Sequence, residues 1–568
     1  MCWNDTLPPW GIGGEGVIVG IVSTGIDVAH EDFIDDNGNT RLLYVWDQTM
    51  GSDPGEPYGY GTEWDSTEIN AGSCTEQDLS GMGTHVAGCA AANGRATGNG
   101  YPQYRYTGIA PEASIIAVKS AFLFESRIED AVEYIFLKAD TLGMKAVVCV
   151  LYGTRKGPHD GSYPLEENLS ALTRAGRLIV VPVGDASDSS RHASMTTEGT
   201  TTFSIPTYTP SMSVSELIEC EGWHDPSVSW NIRLTGPLGA TTGWVTPGNS
   251  VNMTTTVDGG IYVENDVNSS SSGAKKIRVR AYEFVLPPTM GTWTIETDAV
   301  NDGRLDLWLT ESIFSAIIGP TIFTSNVDST QTILSPSTAD SVIAVGAYTT
   351  KTTWTNFTGM TSFYVGAVLN EIYDESSVGP CRNGVIRPDV LAPGQGVMTS
   401  LSGDVLSPPS GFRDPDGVHR ILRGSNQAAG VTTGVLALLL EMYPGLTPSG
   451  AREFLQDNAI ADSFTGTVPN NEWGYGKIRL NCSTAVGVPL PISATSLRLS
   501  PNPGKATVVF SSVPGHVRIY DLSGRQVGIR YLRSTQNGQW ASPIQNLRAG
   551  IYILQHQNGS TAKMTVVR

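Results

Sequence analysis

Apolar and polar positions follow two different rhythms along this chain, and the change of rhythm divides it. Before residue 198, short runs are apolar throughout: Val17–Val22, Ile115–Val118, Ala146–Leu151 and Leu178–Val183. Runs of that length, bounded by turn residues, predict strands buried on both faces of a parallel sheet. Between them, Arg127–Leu142 and Pro164–Ala175 space their apolar residues as helices do. Strand–helix alternation predicts βαβ units, and hence an α/β fold with helices on both faces of the sheet.

From 198 to 325, Thr, Ser, Gly, Val and Trp dominate, in strand-length pieces separated by Gly, Pro and Asn. That texture predicts an antiparallel β-sandwich or jelly roll, inserted into a loop of the α/β domain. The α/β pattern resumes over 326–487 with Ser341–Ala347, Asp389–Pro393 and a long apolar helix, Ala428–Met442. Residues 488–495 read as a proline-containing linker. Residues 496–568 read as a small terminal β-sandwich.

Composition narrows the function classes. Hydrophobic residues make up 40% and charged residues 16%, as in a packed globular protein. Lys plus Arg is 36 against 55 for Asp plus Glu, a formal charge of −19. An acidic surface argues against nucleic acid and against anionic membrane faces as partners. The 7 cysteines are scattered, with no CxxC pair, so no metal site and no cofactor are expected. Cys89 and Cys149 lie in apolar runs and read as free core thiols. No apolar run is long enough for a membrane helix. The first residues, MCWNDTLPPWG, lack the basic region and apolar core of a secretion signal.

The stretch Gly16–Phe33, GVIVGIVSTGIDVAHEDF, carries the chemistry question. An apolar strand ends in Ser-Thr-Gly, and side chains at the carboxyl end of such a strand face the crevice where α/β proteins place their sites. The stretch resembles the first signature of the subtilases, the subtilisin-like serine peptidases. Thr24, Gly25, Asp27, His30 and Asp32 fit that signature. Met82-Gly83-Thr84-His85-Val86-Ala87-Gly88 resembles the second, Gly424-Ser425-Asn426-Gln427-Ala428-Ala429-Gly430 the third, and Pro182-Val183-Gly184-Asp185 the stretch that supplies the oxyanion amide. RNGVIRPDVLAPG (382–394) and WGYGKIRLN (473–481) are similar to flanking marks of the family.

The resemblance implies a triad, and each of its positions holds the wrong residue. Ser23 stands for the carboxylate that orients the base. Met82 stands for the general base, and a thioether cannot shuttle protons at neutral pH. Asn426 stands for the nucleophile, and an amide has no proton to lose. Asp185 stands for the oxyanion donor, where a carboxylate would repel the developing charge. No catalytic residue is therefore expected.

Other groups near these motifs have structural readings. Ser425 lies about 100° around the helix from Asn426, so its hydroxyl should miss the attack position. His85 and His30 read as packed scaffold histidines, and Asp27 and Asp32 as scaffold carboxylates. Tyr152 and Gly153 fall in the stretch resembling the cleft-lining strand, where the aromatic either fills a pocket or belongs to the core.

The layout further resembles the Csp-like subtilases, on GEGVIVGIVSTGID, RLLYVWDQT (41–49), DGSYPLEENL (160–169) and the β insertion. The tail resembles the C-terminal sorting domain of type IX secretion, on SPNP (500–503), VRIYDLSGRQV (517–527), LRAGIYIL (547–554) and Lys563. That implies export through the periplasm to the cell surface or medium. The expectation is a pseudoprotease that binds a peptide or protein, with nothing in the sequence to give its oligomeric state. A peptidase with displaced catalytic residues, or an adhesin or glycan binder acting through the insertion, are the alternatives.

Overall fold

The computed structural model describes residues 12–51, 58–120, 124–187, 189–196, 199–207, 216–283, 288–299, 301, 303–310 and 321–480, and eight strands beyond 497. It opens with β1 (Val17–Ser23), β2 (Leu42–Asp47), β3 (Thr62–Asp65), α1 (Ser66–Asn70), α2 (Met82–Ala91), β4 (Ser114–Lys119), α3 (Glu125–Leu142), β5 (Lys145–Val150), α4 (Pro164–Leu172) and β6 (Arg177–Pro182). A β region follows: β7 (His192–Met195), β8 (Gly199–Thr207), β9 (Glu216–His224), β10 (Trp230–Thr235), β11 (Asn249–Thr254), β12 (Gly260–Ser269), β13 (Lys275–Tyr282), β14 (Gly291–Ala299) and β15 (Leu305–Leu309). The α/β order then resumes with β16 (Ile343–Thr349), the hairpin β17 (Thr353–Thr355) and β18 (Thr361–Phe363), β19 (Val390–Gln395), the hairpin β20 (Val397–Ser400) and β21 (His419–Leu422), α5 (Ser425–Met442) and α6 (Pro448–Asn458).

The apolar runs become one sheet, in the order β19-β16-β6-β5-β1-β4-β2-β3. All its pairings are parallel except that of the edge strand β3. β1 lies inside it, between β4 and β5, and every residue of β1 is buried. One face carries α3 and α4, whose Ile128, Ile135, Leu165 and Leu169 join Ile18, Val22, Val148 and Val150 in a single apolar cluster. Gly20 makes that close packing possible, since a Cβ there would meet Ile135 at 2.9 Å. α5 packs on the sheet and on α2. α4 stops at Leu172, short of Ala175, because Thr173 turns extended and its N–H returns to Ser170. α5 starts at Ser425, ahead of Ala428, which places Asn426 in its first turn.

The inserted region forms two antiparallel sheets, β10-β14-β8 and β11-β12-β13-β9-β15-β7. Phe203, Trp230 and Trp293 from the first meet Cys220, Ile261, Ile277 and Leu307 from the second in one common core. The β region starts ahead of residue 198: β7 already pairs with β15, Trp308 opposite His192. Three rings hold it to the α/β body, with Trp308 stacked between His159 (4.3 Å) and His192 (4.6 Å). Cys74, Cys89, Cys149, Cys220 and Cys381 are free thiols.

Residues 483–568 form a separate unit. It holds two four-stranded sheets, one around His516–Asp521 and Gly550–His556, the other around Thr507–Ser511 and Trp540–Ile544. The linker at 488–495 and residues 501–503 of the sorting motif lie outside the described residues.

Candidate functional site

Three chain segments end at one place: the carboxyl end of β1, the first turn of α2 and the first turn of α5. The joint between the first two is made by Asp78, fully buried and overlooked in the sequence. It accepts from Thr24 Oγ1 (2.7 Å), Gly81 N (2.8 Å), Thr84 N (2.9 Å) and Thr84 Oγ1 (2.8 Å). It thereby caps α2, whose own N-cap residue, Gly81, has no side chain to do so. Gly83 lets the helix lie on the turn: a Cβ there would meet Gly25 O at 1.9 Å and Ser23 Cβ at 3.2 Å.

The second joint is made by Gln427, also unremarked in the sequence. Its Nε2 lies 3.6 Å from Met82 Sδ, so α5 touches α2 through an amide and a thioether. The third is made by Asp185, beyond β6, whose Oδ1 accepts from Ser425 N at 2.8 Å. α5 has glycine at its N-cap, so this carboxylate caps it from another element, where the helix dipole favours negative charge. Ser23, Met82, Asn426 and Asp185 are thus brought around one spot.

What stands there differs from a proton relay. Ser23 is 1% exposed, and its Oγ has no hydrogen-bond partner. Ser425 is 1% exposed and its Oγ is likewise unpaired, while the neighbouring Asn426 keeps part of its surface open. Gln427 is fully buried, and its Oε1 has no donor. Asp185 keeps a wide face open to solvent. Its carboxyl group still titrates above the usual range, because the cleft walls withdraw water, with the Ser425 N–H working in the opposite direction.

The residues read as scaffold are satisfied. His85 is fully buried, faces Arg420 O (3.3 Å) and Cys89 Sγ (3.8 Å), and burial holds its pKa at about 3, so it stays neutral. Asp27 accepts from Gly403 N (2.7 Å) and Ala29 N (3.0 Å). Asp32, fully buried, accepts from Ala96 N (2.9 Å), Ser400 Oγ (2.6 Å) and His419 Nε2 (3.1 Å), and His30 lies 3.7 Å away. His419 in turn bonds Asp416 at 2.7 Å. Burial opposes the charge on His419, but Asp32 and Asp416 outweigh it and push its pKa up to about 9. Burial likewise opposes ionisation of Asp32, and His419, His30 and Ser400 still hold it at about 2.

Along the rim, the partly buried Tyr152 packs against the apolar cluster under α3, beside Glu125. Leu334 takes the space between the glycines: Cβ atoms on Gly153 and Gly184 would meet its side chain at 2.8 and 2.6 Å. Leu334 N donates to Val183 O (2.9 Å), and Ser335 exchanges both backbone bonds with Thr154 (2.8 and 2.9 Å). The strap 333–337 therefore lies between the two cleft strands. Its sequence, ILSPS, carries no motif that would have announced it.

The chain matches the subtilase family over residues 14–299 and 301–476, and the secretion system C-terminal sorting domain over 499–567. The structure of the Clostridium perfringens CspB protease superposes with a TM-score of 0.68 at 23% identity, covering 84% of this chain and 97% of that one, a likeness of fold. Serine protease AprX of Bacillus subtilis (strain 168) is 27% identical over 163 residues, 28% of this chain and 32% of AprX. A PII-type proteinase of Lacticaseibacillus paracasei is 33% identical over 116 residues, 19% of this chain and 6% of that protein. A protein of Aquifex aeolicus (strain VF5) is 29% identical over 134 residues, 23% of this chain and 57% of the relative. The matched stretch thus covers between 6% and 57% of these curated relatives. The sorting tail points to secretion or display at the cell surface. Among the described residues no helix is long and apolar enough to cross a membrane.

Proposed function

The chain belongs to the subtilase family, and on that premise we propose that it has given up peptide hydrolysis and binds a peptide or protein in its cleft, outside the cell. The observation that carries this reading is the contact between Gln427 Nε2 and Met82 Sδ at 3.6 Å, beside an Asn426 that cannot act as nucleophile. Attack on a carbonyl needs a hydroxyl or thiol within about 3 Å of a base, and a donor aimed at the oxyanion. The buried Ser425 hydroxyl has no hydrogen-bond partner, and His85 is occupied by Arg420 and Cys89. Asp185 presents acceptors where a donor is required.

The scale follows from subtilisin, on which the general figures rest and to whose family this chain belongs. Loss of the triad costs about 10⁶ in turnover and leaves roughly 10³–10⁴ over water. Loss of an oxyanion donor costs about another 10²–10³. Backbone pairing of an extended peptide needs no catalytic residue, so binding along the part of the cleft that the strap 333–337 leaves uncovered outlives chemistry.

The test is a fluorophosphonate probe together with a broad peptide library, each on the full chain. No labelling and no cleavage above buffer is expected. Labelling that disappears in Ser425→Ala would overturn the proposal and favour a peptidase with displaced residues.

A further inference from the structure

The polar groups left at the degenerate site have a chemical sense of their own, and it is opposite to that of an oxyanion hole. Three buried oxygens there lack partners: Ser23 Oγ, Ser425 Oγ and Gln427 Oε1. Buried polar atoms without partners are uncommon in folded proteins, so these point to a further occupant. Two of the atoms around the opening are pure acceptors. Gln427 Oε1 and Asp185 Oδ2 both crowd the backbone of Gly424, where a Cβ would meet them at 3.1 and 2.8 Å, so two acceptors stand side by side there. Asp185 Oδ1 is engaged by Ser425 N.

The charge balance agrees. The α5 N-terminus by itself would attract an anion, with about half a positive charge. Asp185 sits on it and brings a full negative one. Nearby, Arg423 is paired with Glu375 at 3.3 Å, so the surroundings add no net positive charge. The whole chain carries −19, which steers cations toward it. A thioether, an amide oxygen, hydroxyls and a carboxylate offer a protonated nitrogen acceptors, and the neighbouring cation, Arg423, is already paired with Glu375.

We propose that the site formed by Asp185, Gln427 and Gly424 receives a protonated nitrogen of the bound chain, so that the ligand of the cleft is a basic peptide. The inference rests on the cleft-binding function proposed above and names its ligand class. The nitrogen comes from a lysine or arginine side chain or from a free amino terminus, and both present the same chemistry.

The experiment measures binding of fluorescent peptides to the full chain by anisotropy, at low salt and at 0.5 M added salt (roughly a 4 Å screening length). The peptides share one neutral sequence, with a central Lys, Gln or Glu and with the amino terminus free or acetylated. The Lys peptide should bind about tenfold more tightly than the Gln peptide, and the Glu peptide more weakly than either. Asp185→Asn, which keeps an oxygen for Ser425 N, should abolish that preference, while Gln427→Glu should enlarge it. If the preference persists with both ends blocked, the side chain is the source; if it follows the free amine, the terminus is. Equal binding of the Lys, Gln and Glu peptides, or a preference untouched by Asp185→Asn, would overturn the ligand class and leave cleft binding standing. Failure of every peptide to bind would overturn both.

Discussion

Ser23 and Asp32 stand nine positions apart in one signature stretch, and the structure treats them in opposite ways. Both are buried. The Asp32 carboxylate has Ala96 N, Ser400 Oγ and His419 Nε2 on its oxygens, and His419 is held in turn by Asp416. The Ser23 hydroxyl has nothing. One end of the motif is a closed ionic network, the other an unfinished one. Buried charge must be paired or the fold fails, whereas an orphan hydroxyl costs little enough to be carried. The scaffold half of the signature is thus held by stability, and the other half is not.

The contrast is open to measurement. Asp32→Asn removes one of the two carboxylates that hold the His419 charge and should cost about 3–5 kcal/mol by urea unfolding of the full chain. A cost below about 1 kcal/mol would mean the network holds nothing. The pH dependence comes next. His419 titrates at about 9 when folded against its ordinary 6.5, so the folded state holds the extra proton, and stability should fall as pH rises from 6.5 through 9. His85 and His159 shift the other way, to about 3 and about 4, both through burial. Here the unfolded state holds the extra proton, so stability should also fall as pH drops below 6.5. His419 gives the curve an alkaline limb on the order of 3 kcal/mol. Asp32→Asn should flatten that limb, and a limb unchanged in the variant would detach His419 from Asp32. The smallest effect belongs to Ser23→Ala. Removing a hydroxyl without partners should change stability by less than about 1 kcal/mol, in either direction. A loss comparable to that of Asp32→Asn would erase the distinction between the two ends.

Much of this was legible in the chain itself. Apolar runs bounded by glycine gave β1, β4, β5 and β6 to within a residue or two, because strands buried on both faces need continuous apolar sequence. The identities of Ser23, Met82, Asn426 and Asp185, and with them the expectation of no working triad, are read from the sequence alone. The insertion announced itself by composition, though its first strand, β7, precedes the change at 198: four residues, HASM, are too short to show a period.

What the sequence by itself determined, then, is local: strand period, helix period, and the chemical capacity of each side chain. The tertiary structure alone decided which groups meet. Asp78 ties β1 to α2, Gln427 reaches Met82 across 345 positions of chain, Asp185 caps a helix 240 positions away, and Leu334 occupies the gap between two glycines. A hydrogen bond depends on separations of about 3 Å between elements, and those are set by how whole faces pack, not by the spacing of any motif.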